Sequence, residues 1–575
     1  MANEMNRRTG RIGNGNLSVG SRNPSVLNPS MSRGGFVKTA GVGMVGAGAM
    51  AAGFGGVARA QSGPIVIYPT GDPMQDTDII QNAINNASDG DVILLKACKI
   101  GETTVTPWYL KKPLTTETVW ITGTNGDPVA YWDPSYAGVG MPVVIEEKKL
   151  TLKGEVDSNG APLTLLKGAD NQASWLERLT SAYTNGYLTD FCSGAILATG
   201  SKKVRIESLQ LKYFNPLSPI VMGFGPTELV NCKFSFFDNG VELERDNGYP
   251  QGGPQLVSNC VFSDYVGYFA LITGGSSLAG EDIVQNCEFY GTSFDFDLTG
   301  PLTCIWGQAV SLESPDFPPL AIPTLKNLTI KNCTFDFTDS HHQLGGFAVS
   351  AANAYGGLVE NVSVRNCEFI NIIKPGWGYV LEVAFPYNGD GHGHSTAPGT
   401  ATNCSAVDNT FTNCSGDWGI VLLDGYSNSR GTGKPINCLV SNNTYMNCGS
   451  FAEYFTLTDS CQSLNNDYTR SHLGGWNKSP NQSGCVIIDT STSDTVREYL
   501  FPPGTTVCNQ VLDFGENTQV LDRNGQPVQC NFPSIVNPYL QDMLVAIKER
   551  HSRKMQMLGN QLFDRLGRRP GRFGK

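Results

Sequence analysis

Asn231-Cys232-Lys233-Phe234 returns as Asn259-Cys260-Val261-Phe262, Asn286-Cys287-Glu288-Phe289, Asn332-Cys333-Thr334-Phe335 and Asn366-Cys367-Glu368-Phe369. A looser form continues as Asp408-Asn409-Thr410-Phe411, Asn442-Asn443-Thr444-Tyr445 and Asn465-Asn466-Asp467-Tyr468. From Cys232 to Asn466 the steps are 28, 27, 46, 34, 42, 34 and 23 residues, so a unit of roughly two dozen residues repeats and takes insertions of variable length. Within a unit, runs such as Leu439-Val440-Ser441 and Tyr454-Phe455-Thr456-Leu457-Thr458 are β-branched or alternating, with no helical period. So small a unit cannot bury its own apolar face, and neighbours must stack. Three short strands and polar turns per coil, with coils about 4.8 Å apart, make a parallel β-solenoid. Asn at a sharp bend suits a left-handed backbone angle, and a column of such amides can hydrogen-bond from coil to coil. The Cys that follows faces inward as a small apolar filler.

These repeats resemble the right-handed parallel β-helix family that includes pectate lyases and polygalacturonases, over roughly Pro64 to Asp489. The resemblance implies an all-β fold with a binding cleft along the strands that follow each Asn-Cys turn. It stops short of a catalytic set. Gly391-His392-Gly393 is similar to the Gly-His-Gly of polygalacturonases, but that family's paired Asp-Asp and its Arg-Ile-Lys are missing. The Trp-Ile-Asp-His and Arg-x-Pro-x-x-Arg signatures of pectate lyases are missing too.

The ends of the chain read differently. Residues 1–30 have no apolar period and are expected to be disordered. Arg33 to Lys38, the Gly- and Ala-rich run Thr39 to Val57, and Ala58-Arg59-Ala60 form an export signal cut after Ala60, leaving a periplasmic or extracellular protein. Gly34 stands where a twin-arginine signal has its second Arg, so the route stays open, and a membrane anchor is the alternative. Next comes a capping helix on Ile80, Ile84 and Ala87, started by Asp76 or Thr77 and ended by Gly90. The β-helix domain is taken as 61–533. Residues 534–575 form a basic amphipathic helical tail that covers the last coil or rests on a membrane.

The formal charge is −11, but each terminus (1–60 and 534–575) carries +6, leaving −23 on the core. Such a core repels polyanions, so nucleic acid is excluded and an acidic polysaccharide needs a bridging cation such as Ca²⁺. No resident cofactor is expected, and the chain reads as a monomer. Of the 16 cysteines, those at the repeat position are expected as free thiols. Cys404 and Cys438, or Cys414 and Cys448, are close enough for bridges but are expected free; Cys508 and Cys530 are the better disulfide candidates.

Chemistry is placed on the strands Val241–Glu244, Gln308–Glu313, Phe347–Ser350, Tyr379–Glu382 and Ile420–Asp424. Their outward positions bring Glu382 and Asp424 onto neighbouring coils, with Ser350 and Ser311 below them, as an acid and its partner carboxylate. Solvated outward acids are the alternative. Trp306-Gly307, Trp377-Gly378 and Trp418-Gly419 precede three of these strands, and the last two offer stacked indoles for sugar rings. His392 in the 386–399 insertion is the candidate base, and Arg430 in the 425–437 insertion a candidate substrate contact. The reading is an exported glycoside hydrolase or polysaccharide lyase; the alternatives are a non-catalytic carbohydrate-binding solenoid and an envelope adhesin held by the basic tail.

Overall fold

The computed structural model describes residues 63–529, except 111–119, 123–127, 131–140, 186–193, 215–218, 224, 245–253, 268, 275–279, 297–300, 311–323, 356, 374, 377, 387–397, 417–418, 429–430, 450, 472–484 and 502. The export segment, the basic tail and Cys530 lie outside these residues. What is described is a parallel β-helix. Three long parallel sheets of 14, 11 and 12 strands run side by side, and consecutive strands pass from one sheet to the next. One coil shows the order: Thr227–Val230 in the first sheet, Lys233–Phe237 in the second, Val241–Glu244 in the third, then Leu256–Ser258 back in the first.

The Asn of each repeat makes the corner between first and second sheets. Asn231, Asn259, Asn286, Asn332, Asn366, Asp408, Asn442 and Asn465 all have φ between 51° and 59°. A single left-handed residue turns the chain there, and Asn tolerates that conformation better than other side-chain-bearing residues. The five-residue offsets of Cys404, Cys438, Cys414 and Cys448 have the same cause, since Asn403, Asn437, Asn413 and Asn447 also sit at φ 52–54°. Asn-Cys therefore turns three corners, and the amides form ladders, as in Asn332 Nδ2 to Asn286 Oδ1 at 3.2 Å and Asn413 Nδ2 to Asn371 Oδ1 at 2.9 Å.

Inside, the aromatic of each repeat stacks on the next. Phe234, Phe262, Phe289, Phe335, Phe369, Phe411, Tyr445, Tyr468 and Phe501 form one column with centroids 4.7–5.8 Å apart. Each such pair contributes about 0.5–1.5 kcal/mol beyond its burial. The repeat-position cysteines are buried free thiols, as are Cys404, Cys414, Cys438, Cys448 and Cys461, whereas Cys508 is disulfide-bonded.

From the coil of Asn409 the inward position after the corner changes from Cys to Asn. Asn409, Asn443 and Asn466 are buried and pass hydrogen bonds along the axis: Asn409 Nδ2 donates to Asn443 Oδ1 at 3.0 Å, and Asn443 Nδ2 to Asn466 Oδ1 at 3.0 Å. Asn466 Nδ2 then donates to Glu498 Oε1 at 2.8 Å.

The N-terminal helix spans Pro73–Asn86, so it starts before the expected cap. Asp76 is inside its first turn, where Oδ1 accepts from Thr70 N at 2.7 Å and Oδ2 from Tyr109 N at 3.0 Å. Ile80 and Ile84 enter the core, and Lys148 Nζ donates to the last carbonyls, of Ile84, Asn85 and Ala87. A second helix, Gln172–Asn185, packs outside the coils through Trp175, edge-on to Phe236 and Phe294.

Candidate active site

The third sheet positions the candidate residues. Leu381 and Val383 belong to the core, so Glu382 between them points to the outer face; Asp424, next to the core residue Leu423, does the same. Register places Glu242, Ile272, Trp306, Ser350, Glu382, Leu422 and Tyr454 in one outer column across successive coils.

Glu382 and Ser350 are therefore direct neighbours, and Ser350 Oγ donates a hydrogen bond to Glu382 Oε2. The other oxygen, Oε1, is buried with no hydrogen-bond partner among the described residues. Burial pushes the Glu382 carboxyl up to about 8, and the charge of Asp424 adds to the rise while the Ser350 hydroxyl opposes it. At neutral pH Glu382 is then mostly a neutral acid. Asp424 shares the face but is not directly opposite. Glu382 pairs with Leu422, so Asp424 lies two residues along the neighbouring strand, on the diagonal; the register shift that follows Glu382, where Ala384 pairs with Leu423, carries Asp424 one residue further along.

Trp306 lies within the strand Thr303–Val310 rather than ahead of it, directly beside Ser350. It is buried among Phe269, Ile272 and Leu302. His392, Trp377, Trp418, Arg430 and Ser311 lie outside the described residues. His342 is engaged elsewhere, accepting from Phe296 N at 3.1 Å and lying 3.5 Å from Asp295. One aromatic pair carries no sequence signal: Tyr379 and Tyr454 stack at 6.1 Å although the coil of Leu422 lies between theirs, so no sequence spacing announces it.

Two properties set the chemistry of this face. The column is closed to solvent, with Glu382 at 0%, Ser350 at 1%, Trp306 at 2% and Tyr454 at 4% exposure. The twelve strands of the sheet also contain acids but no Lys, Arg or His. Among the described residues no group of three His, Cys, Asp or Glu is placed to hold a metal ion.

No family model matches the chain, and no curated protein matches it. Solved structures similar to it include a PL6 family polysaccharide lyase from Pseudopedobacter saltans, with 13% identity, a TM-score of 0.35, and coverage of 82% of this chain and 97% of that one. A surface adhesin of Streptococcus pneumoniae has 8% identity and a TM-score of 0.35, covering 80% and 93%. A family 28 exopolygalacturonase of Yersinia enterocolitica has 11% identity and a TM-score of 0.34, covering 82% and 80%. At these scores neither an activity nor a ligand transfers to this chain.

Proposed function

We propose that this chain is an exported glycoside hydrolase acting on a neutral polysaccharide, with Glu382 as general acid. The observation that carries the reading is the Glu382 carboxyl itself, kept protonated by burial on the outer face of a sheet, with Asp424 as a second carboxyl on the diagonal. Glu382 gives its proton to the glycosidic oxygen as the bond to C1 breaks; Asp424 activates the water that replaces it or holds the sugar cation. Ser350 orients Glu382. Elimination from a uronate fits less well, because it needs a counter-charge for the sugar carboxylate, and the strands of this sheet carry no Lys, Arg or His. Export rests on residues 32–60 alone; among the described residues no helix is long and apolar enough to cross a membrane.

Burial of the whole outer column favours a second reading, a glycan-binding solenoid in which Glu382 and Ser350 only tie coils together. Reducing-end release from a panel of neutral and acidic polysaccharides, with Ca²⁺ and with chelator, separates the two. The hydrolase reading predicts release from a neutral glycan and a loss of about 10²–10⁴ in Glu382→Gln with folding intact. Release from uronates only, or no release with glycan retention unchanged in the variant, contradicts it.

A further inference from the structure

The outer face of the second sheet handles charge differently from its neighbour. On the first sheet, charged side chains of the early coils pair within the chain: Lys153 with Glu207, Arg205 with Glu207 and Glu228, and Lys203 with Glu228. On the second sheet Lys167, Lys212, Lys233, Glu288, Asp336 and Glu368 all point outward, yet among the described residues none of the six is in an ion pair.

Their order along the sheet is bipolar. The strands run Thr164–Lys167, Leu209–Lys212, Lys233–Phe237, Val261–Tyr265, Glu288–Tyr290, Thr334–Asp336 and Glu368–Ile370. The three lysines thus occupy the three strands before Val261–Tyr265, and the three acids the three strands after it. Lys167 and Lys212 are directly opposite in register, a like-charge pair that is eased in part within the chain, where Lys167 Nζ donates to Asp170 O at 2.9 Å and lies over the rings of Tyr109 and Tyr213.

We infer that this face is a self-complementary interface for a second copy of the chain, related by a two-fold axis along the strand Val261–Tyr265. Rotation about an axis parallel to the strands reverses the order of the coils and keeps position along each strand. Lys233, one strand before the axis, then meets Glu288 of the second copy, one strand after it. Val261 pairs with both residues in register, so they share one column. Lys212, two strands before, meets Asp336, two strands after, again in one column, which runs through Ser235, Ser263 and Tyr290. Lys167 reaches Glu368 on the diagonal. Every pair occurs twice, as an isologous contact requires.

Seven strands of about 4.8 Å spacing and three residues' width give a contact of roughly 30 by 10 Å, below the size of a standard interface. The dimer is therefore weak and salt-sensitive, in place of the monomer expected from the sequence. The face lies on a different sheet from Glu382, so this inference stands or falls independently of the hydrolase reading.

The test is sedimentation velocity of the full chain over a concentration series, at low salt and at about 0.5 M NaCl, where the Debye length falls well under 10 Å. A dimer at low salt that dissociates at high salt is expected. Lys212→Glu/Lys233→Glu and, separately, Glu288→Lys/Asp336→Lys should each be monomeric, and an equimolar mixture of the two should dimerise again. The milder Lys233→Gln should weaken the dimer several-fold with unchanged melting. A wild-type chain that stays monomeric at low salt, a dimer indifferent to charge reversal, or a mixture that stays monomeric overturns the inference. So does low-salt behaviour in which only an added polyanion is retained.

Discussion

At the scale of single residues, two kinds of Asn do different work. Asn332 is at the surface, holds φ 53° and links to Asn286. Replacing it by Ala forces a Cβ-bearing residue with no compensating amide into the left-handed region, and is expected to cost about 1–2 kcal/mol, with Gly costing less. Asn443 is buried. Its Nδ2 serves Ala406 O at 3.1 Å and Asn466 Oδ1, while its Oδ1 accepts from Asn409 N and Nδ2, both at 3.0 Å. Asn443→Ala strands several buried polar groups together and is expected to cost about 3–5 kcal/mol in urea unfolding. A loss no larger than that of Asn332→Ala would show that the inner ladder carries no load. The sequence announced the outer Asn by its repetition. The inner one was visible only as a weakening of the Cys repeat, because a polar residue at an inward position makes sense only once its neighbours on adjacent coils are known.

At the scale of the element, the strand Glu453–Thr456 breaks the alternation rule. Glu453 pairs in register with the core residues Val421 and Val486 and faces inward. Its Oε1 accepts from Tyr445 at 3.1 Å and Tyr468 at 2.9 Å, and Ser463 Oγ lies 2.7 Å from its Oε2 and 2.8 Å from Glu498 Oε1. A hydroxyl has one hydrogen, so one of those two contacts must be made by a carboxyl proton. Burial raises both acids, and the charge of Glu453 raises Glu498 further; Tyr445, Tyr468 and Cys485 are the other titratable groups around the pair. An acid that holds its proton more tightly folded than unfolded loses stability as pH rises from its unfolded pKa to its folded one. Unfolding free energy of the C-terminal coils should thus fall from about pH 4.5 upward through neutrality. Glu498→Gln should flatten that fall, and a slope unchanged in the variant would exclude this pair as its source. Alternation reads an acid in a strand as outward, which is right for Glu382 and Asp424 and wrong for Glu453. The difference lies in partners supplied by Tyr445, Tyr468 and Ser463, which reach Glu453 from other strands.

At the scale of the whole molecule, the repeat made the architecture legible because a coil that cannot bury its own apolar face has one way to do so, and Asn-Cys-x-Phe marks the corner, the filler and the stack together. Ser350 beside Glu382 was legible for the same reason. The diagonal offset of Asp424 from Glu382 was not, since the repeat tells which coils are neighbours but not which residues pair, and the one-residue irregularity after Glu382 leaves no mark on composition. Nor was the place of Trp306: Trp-Gly reads as a strand boundary, whereas the strand runs through it. Net charge also hid structure, because the core's −23 does not tell that the strands of the third sheet carry acids and no bases, or that on the second sheet three lysines precede Val261–Tyr265 and three acids follow it. The most direct test of the account is the pH dependence of kcat/KM for reducing-end release from a neutral polysaccharide. If Glu382 donates its proton, activity holds through neutrality and falls tenfold per pH unit above an apparent pKa of about 8. A rate that rises or stays level across pH 8 would contradict a protonated Glu382 as the acid.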